Sequence, residues 1–528
     1  MKASLAAILA ALLFLSACGG GSGGSGDVAE DKVQSGVYVA DQLVDQQLEL
    51  FRFDTSGAGA ARLSGTLQVD GNVGDFKVSP DGSRVAYRAD QDTDEKFELY
   101  VARLDGSGID KINEPMTTPN GDVSEFAWSP DSAQIVYVAD AEQDGVREVY
   151  LANADGSSHL KISGPVSVPG VVELLDVKWS PDGRYIAQRV ESLSSFQTVG
   201  INTHDTQNPN SVRVNPTLVF GGSIGAYAWS PDSRRIAYIA DQDIDNVLEL
   251  YSATPDGAVN DKLNGALVTG GDVAGDFAWS PDSRRIAYRA DQDIDNVFEL
   301  YSATPDGAVN DKLNGALVTG GDVAGNFAWS PDSRRIAYFA DQDTDGVVEL
   351  YSATPDGTVN DKLNAALVTN GDVSAFAWSP DSRRIAYRAE QDTDSVFELY
   401  SATPDGAIND KLNGALVTNG DVFTFAWSPD SRRVAYVADQ DIDDVFELYS
   451  VTPDGTINEK LNGALVIDRG LSGFAWSPDS RRIAYRADQD IDDVFELYSA
   501  TPDGTINDKL NGALVTDGDV TDFAWSPR

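Results

Sequence analysis

Cysteine occurs once in this chain, at position 18, and methionine and histidine only twice each. With a single thiol no intrachain disulfide can form, so whatever folds here is held by burial. The two histidines, His159 and His204, fall in different parts of the chain and suggest neither a triad nor a metal cluster. No catalytic cysteine is present, and no Gly-x-Ser-x-Gly elbow occurs in the repeated part of the sequence. Cations are scarce: 39 Lys and Arg stand against 84 Asp and Glu, a net charge of −45. Such a surface repels nucleic acid and anionic lipid faces at long range, and it favours cations, basic protein patches or plain solubility. The apolar run from Leu5 to Leu15 is too short to be a stable membrane span. Apolar residues nevertheless make up 41% of the 528 positions, with 9 Trp, 19 Tyr and 20 Phe, enough for a packed core in one large array or several domains.

The N-terminus sets the expected compartment. Lys2 precedes the short apolar run, which has the size of a signal peptide and ends in Leu15-Ser16-Ala17-Cys18. That ending resembles a bacterial lipobox. The resemblance implies a signal peptide over 1–17, cleavage before Cys18, and lipid on the Cys18 thiol. Residues 18–36 open with pure Gly/Ser from Gly19 to Gly26, a flexible tether. Gly19, where inner-membrane lipoproteins commonly carry Asp, implies by the same resemblance the outer membrane, facing periplasm or cell surface.

The rest of the chain is repeated. Trp-Ser-Pro begins at Trp128, Trp179, Trp229, Trp279, Trp329, Trp378, Trp427, Trp476 and Trp525, with Val78-Ser79-Pro80 as a variant, at spacings of 49 to 51 residues. Within one unit, Phe277 to Ser280 reads as a strand and Pro281-Asp282-Ser283 as a turn. Ile286 to Ala290 is a second strand, Val297 to Ala303 a third, and Lys312 to Val318 supplies a fourth. Four strands per unit point to propeller blades ahead of solenoid coils, which lack a tight turn after every strand. Trp-Ser-Pro-Asp, Ile-Ala-Tyr, Glu-Leu-Tyr and Pro-Asp-Gly together resemble the WD40-like PD40 repeats of TolB-type proteins and of prolyl oligopeptidase propellers. The resemblance covers 37–528, with a longer acidic loop than usual and neither TolB's N-terminal domain nor a hydrolase domain.

The chain stops at Phe523-Ala-Trp-Ser-Pro-Arg528, just after a first strand, and begins beyond the tether at Val37-Tyr-Val-Ala, a second strand. Joined, the two ends complete a tenth unit and remove an unpaired edge. The expected fold is therefore all-β, one ten-bladed propeller over 37–528 closed by its terminal strands. Two smaller rings, or a truncated C-terminus, are the alternatives.

The loop after the second strand carries carboxylates at positions 1, 3, 5 and 9 in eight of ten units. Six of the eight are Asp90, Asp92, Asp94 and Glu98; Asp241, Asp243, Asp245 and Glu249; Asp291, Asp293, Asp295 and Glu299; Asp341, Asp343, Asp345 and Glu349; Asp439, Asp441, Asp443 and Glu447; Asp488, Asp490, Asp492 and Glu496, and the other two have a Glu among the first three carboxylates. The spacing resembles the Asp-x-Asp-x-Asp-Gly calcium loops of EF-hands and integrin-type propellers, and hard oxygen ligands at that density suit Ca²⁺; a solvated acidic hairpin loop is the plain alternative. These loops and the fourth-to-first connections share one face of the ring. The other face carries turns such as Asp282 with Arg284 and Arg285 and is nearer neutral. Arg pairs such as Arg234-Arg235 read as ion-paired turn residues, and the strand-one Trp as inter-blade core. Near-identical copies leave little room for an active site. The expected function is a monomeric, envelope-anchored scaffold for a protein or peptide partner. The alternatives are a carbohydrate- or cell-wall-binding module and a propeller lyase or hydrolase. The unit from Trp179 to Tyr227, least like the others, is a candidate contact surface.

Overall fold

The computed structural model describes residues 33–56, 60–163, 174–192, 197–465 and 470–527. The leader, Cys18 and the Gly/Ser tether lie outside them. The chain divides into Met1–Val33 and Gln34–Arg528, and the second unit is the propeller.

Among the described residues forty strands, β1 (Ser35–Ala40) through β40 (Val520–Trp525), form ten four-stranded antiparallel sheets. Blade six shows how the unit is built. Its strands are Val273–Trp279, Ile286–Ala290, Glu299–Ala303 and Asn310–Lys312. The second and third strands are apolar at most positions because neighbouring blades cover both their faces. The turn between the first two is closed by its own side chains: Ser280 Oγ donates to Asp282 at 2.7 Å and accepts the Arg285 N–H at 2.9 Å. Ser283 sits at φ +62°, a left-handed conformation unusual outside glycine, and its Oγ accepts the Asp232 N–H of blade five at 2.9 Å. That contact between blades offsets the local strain.

The fourth strand departs from the sequence expectation. It covers Asn310–Lys312 rather than the stretch from Lys312 to Val318. Asn314 Oδ1 accepts the Leu300 N–H at 2.9 Å, so a side chain takes the next rung and the chain leaves the sheet. The first strand in turn starts earlier than expected, at Val273.

Closure follows the expected scheme. In blade one, β3 (Ala61–Arg62), β2 (Glu49–Asp54) and β1 are completed by β40, with Tyr38 opposite Phe523 and Val37 opposite Ala524. The Ser526 N–H adds a bond to the Ser35 carbonyl at 2.8 Å. The ten blades are one ring.

Each blade is stitched to its predecessor by tryptophan. Trp329 Nε1 donates to the Ala278 carbonyl at 3.0 Å, and the same bond recurs from Trp128 to Lys77 (2.8 Å) and Trp525 to Ala475 (3.0 Å). Blade two has Val78 instead, and there Ser526 Oγ bonds the Gly82 carbonyl at 3.0 Å.

Beneath this regularity lies a two-blade period. At one equivalent position of the second strand stand Arg88, Arg189, Arg289, Arg388 and Arg486 in the even blades, but Val39, Val138, Ile239, Phe339 and Val437 in the odd ones. Arg88 and Arg289 reach the first strand of the next blade, donating to the Val123 and Val323 carbonyls at 2.7 and 2.9 Å. Ile239, Phe339 and Val437 instead pack on the Phe and Trp of the next first strand, as in the edge-to-face contact of Phe339 on Phe376 at 4.9 Å. Seams therefore alternate between a hydrogen-bonded and an apolar type, a pattern that closes without conflict only for an even number of blades.

Deleting residues 273–372, blades six and seven, keeps that alternation, whereas deleting 273–322 alone sets Ile239 of an odd blade beside another odd blade. The two-blade deletion is expected to melt cooperatively as a monomeric ring, and the one-blade deletion to melt at least 5 °C lower or to aggregate. Circular dichroism melting with light scattering checks this.

Candidate functional site

The acidic loops all emerge on one face, at the end of each second strand. Blade five illustrates their chemistry. Asp241, at loop position 1, is buried and bonded to its own backbone: it accepts the Ser223 N–H and, at 3.2 Å, the N–H of Asn246, which lies at φ +60°. It is a cap that closes the loop, and Asp90, Asp291, Asp341 and Asp439 do the same. Positions 3 and 9 meet at a lysine. Lys262 Nζ lies 2.8 Å from Asp243 and 2.7 Å from Glu249, while the Tyr251 hydroxyl donates to Glu249 at 2.8 Å. Burial opposes the Lys262 charge, but the hydrogen bonds it donates to Asp243 and Glu249 outweigh it and hold its pKa above the ordinary lysine value. Lys111, Lys312, Lys362, Lys460 and Lys509 join Asp92 to Glu98, Asp293 to Glu299, Asp343 to Glu349, Asp441 to Glu447 and Asp490 to Glu496 in the same way.

Position 3 stays exposed while it pairs with the lysine, and position 5 (Asp94, Asp245, Asp295, Asp345, Asp443, Asp492) is exposed too, beside an exposed isoleucine in four of these loops: Ile244, Ile294, Ile442 and Ile491. The four carboxylates expected to converge on Ca²⁺ thus have three separate roles. Among the described residues no three of Asp, Glu, His or Cys gather as metal ligands. In this arrangement the lysine ammonium occupies the point that positions 3 and 9 share. The sequence reading did not pair these carboxylates with the lysine of the fourth strand, although that lysine recurs at one place in the unit.

Burial and like charge raise some carboxyl pKa values on this face. Asp122, Asp322 and Asp519 are each held above the usual range, first by desolvation and then by the neighbouring Asp140, Asp341 or Asp41. On the opposite face the Pro-Asp-Gly turns do the reverse. Hydroxyls of Thr354 and Thr358 donate to Asp356 and bring its pKa to about 2, as Thr452 and Thr456 do for Asp454 and Thr501 and Thr505 for Asp503.

Blade four is the irregular one. The stacked tyrosine pair of other blades (Tyr288 on Tyr301, 5.7 Å) is replaced by Gln188 opposite Asn202. Among the described residues neither nitrogen of the buried His204 has a hydrogen-bond partner, and burial lowers its pKa to about 4, so it is neutral at pH 7. His159 lies in blade three and Nδ1 has no partner. Following blade four, the connection into blade five carries Phe220, fully exposed, where most repeats have Thr; its neighbour Gly221 abuts Asp245.

Across the ring, the arginine pairs divide. Arg235 pairs with Asp261 at 2.8 Å as expected, but the Arg234 side chain is 85% exposed with its nearest carboxylate, Asp232, at 3.8 Å.

No protein family matches this chain, and no curated protein does. Among solved structures, one described as the eukaryotic initiation factor aligns over 94% of this chain and 99% of its own at 12% identity, with a TM-score of 0.51. Dipeptidyl peptidase 4 of Porphyromonas gingivalis aligns over 78% of this chain at 12% identity and TM-score 0.49; this chain spans only 64% of the peptidase's length. A TolB protein from Agrobacterium tumefaciens aligns over 53% of this chain and 88% of its own at 16% identity, TM-score 0.28. Likeness at these identities is likeness of fold.

Two measurements check the electrostatics. An acid whose folded pKa is raised destabilises the fold at neutral pH and ceases to as pH falls. One whose folded pKa is lowered stabilises it above the unfolded value near 3.9, and that is lost as pH falls toward 2. Tm should therefore rise as pH is lowered from 7 toward the unfolded value near 3.9 and fall as pH drops on toward 2. Separately, Lys262→Met leaves Glu249 largely buried without its cation, at a cost of about 1–3 kcal/mol in urea unfolding.

Proposed function

We propose that the protein is a scaffold of the bacterial envelope, held by lipid on Cys18, that presents its acidic loop face to a cationic protein or peptide. One observation carries this reading. Position 5 of successive loops repeats an exposed carboxylate around one face, with an exposed isoleucine beside it in Ile244, Ile294, Ile442 and Ile491. Carboxylates alone would be a solvated rim. Carboxylates interleaved with aliphatic tips complement a chain that alternates basic and apolar residues. The repetition offers several weak contacts at once, and linked contacts gain affinity without any single strong one. Phe220 breaks the symmetry of this face and supplies one large aromatic next to Asp245, the kind of residue that anchors an interface.

A second reading, carbohydrate or cell-wall binding, is favoured by Phe220 alone, since a protruding ring can stack on a sugar. A lyase or hydrolase has support from fold only, and a propeller hosts many chemistries. Calcium at the acidic loops is a further proposal, in which the ion displaces Lys262 and its counterparts. A rise in Tm with millimolar calcium over chelator would support it, and superimposed melts would leave the lysine in place.

A 16-residue peptide alternating Lys and Leu, fluorescently labelled, is the probe. Fluorescence anisotropy is expected to show binding that weakens as salt rises from 50 to 300 mM. Replacing Asp245, Asp295, Asp345, Asp443 and Asp492 by Asn should weaken it tenfold or more with an unchanged Tm, and Phe220→Ala should weaken it further. Equal affinity of the wild type and the five-fold variant would refute the acidic-face reading.

A further inference from the structure

Where the chain enters the ring assigns an orientation to the whole molecule. The first residue of the propeller unit, Gln34, is wedged among the turns opposite the acidic loops. Its Nε2 donates to Asp479, on a Ser-Pro-Asp-Ser turn, at 3.0 Å, and its carbonyl accepts the N–H of Thr55, on a third-to-fourth turn, at 2.8 Å. The propeller therefore begins on this face. Cys18 precedes Gln34 by sixteen positions, so a lipid there would favour this face, and not the acidic one, beside the bilayer.

The same face is chemically suited to a headgroup layer. Arg234, Arg284, Arg334, Arg383 and Arg432 stand on it in five consecutive blades with side chains 85–86% exposed. Their nearest carboxylates are 3.8–3.9 Å away, and those carboxylates are engaged in closing their own turns, as Asp282 accepts from Ser280 and from the Arg284 N–H. Between blades seven and eight the arginines border a groove of about 490 Å³ lined by Arg335, Arg383, Thr403, Pro404, Asp405 and Ile408, where Asp405 is a carboxylate that accepts from the Thr403 hydroxyl at 2.6 Å. Ile408 and Ile457 are each 46% exposed, and Val309 and Val359 occupy the same place in neighbouring units. Guanidinium groups that can fork onto phosphate, with aliphatic tips beside them, are what a lipid headgroup layer accepts.

The net charge of −45 does not forbid this contact. Strands of five to seven residues hold the two faces about 20 Å apart, while screening at physiological salt acts over about 8 Å. The acidic loops are electrostatically remote from anything touching the arginine face.

We propose that the arginine-bearing turn face lies against lipid headgroup phosphates, so that the acidic face is the one presented outward. This rests on the anchored-scaffold reading above. The full chain, its Cys18 lipid confirmed by mass, is placed in vesicles of phosphatidylglycerol and phosphatidylcholine with a headgroup energy-transfer acceptor. A donor dye is attached at Ala308→Cys on the turn face or Thr344→Cys on the acidic face. Transfer from position 308 is expected to exceed that from 344 at least threefold. Replacing the five exposed arginines by Gln should bring the two within a factor of about 1.5. Equal transfer from both faces in the lipidated wild type, or stronger transfer from 344, overturns the proposal. If the mass shows no lipid on Cys18, the anchored reading falls by itself, and co-sedimentation of the same chain with these vesicles decides the face. Pelleting that the arginine substitutions abolish supports it, and no pelleting overturns it.

Discussion

A sheet edge left open is the one thing this architecture cannot accommodate, and the pairing of β40 with β1 is what removes it. The two strands come from opposite ends of the chain, yet they share a register as regular as that within any internal blade. Asp41 at the head accepts the Asp519 N–H from the tail, so the acidic-face cap of the closing blade is also made across the termini. Every seam between blades but the one from blade one to blade two is held by an indole bond, and there Ser526 bonds the Gly82 carbonyl instead. The closing pair therefore turns a row of similar units into a ring with no first or last blade.

Once the ring is closed, its seams are not equivalent. Arginine-bearing blades hand a hydrogen bond to the next first strand, and apolar blades hand it a hydrophobic contact. The tryptophans follow: Trp128, Trp229, Trp329, Trp427 and Trp525 of the odd blades are 8% exposed, whereas those of the even blades are less covered. The pattern reads as a unit of two blades, five times repeated. It was present in the sequence at Arg289 and Phe339, but a reading that treats each repeat as an average copy erases it.

The charge distribution depends on the same closure. A high density of carboxylate is tolerable on one face because each loop disposes of most of it internally, on backbone N–H groups and on a lysine from the fourth strand. What remains exposed is the lysine-paired aspartate of position 3 and the aspartate of position 5, repeated from blade to blade. The opposite face spends its aspartates closing turns and leaves arginine tips outside. A disc with unlike faces results from turns that obey local rules.

Fold class, blade count and the closing strands were legible in the amino-acid order, because period, turn chemistry and the split terminal unit are one-dimensional facts. So was the inner, inter-blade role of the tryptophans. The candidate site was legible as residues and not as geometry. The spacing of Asp241, Asp243, Asp245 and Glu249 suggested four ligands for one ion, but spacing along a chain does not say which oxygen faces which proton. Lys262 stands thirteen residues beyond Glu249, on a strand whose register alone brings the ammonium between two carboxylates. The fourth strand was misplaced for a similar reason, since Asn314 ends it by bonding across to Leu300. Local pattern determined what each segment is; only the pairing of strands decided which charges meet, and that pairing exists nowhere until the sheet has formed.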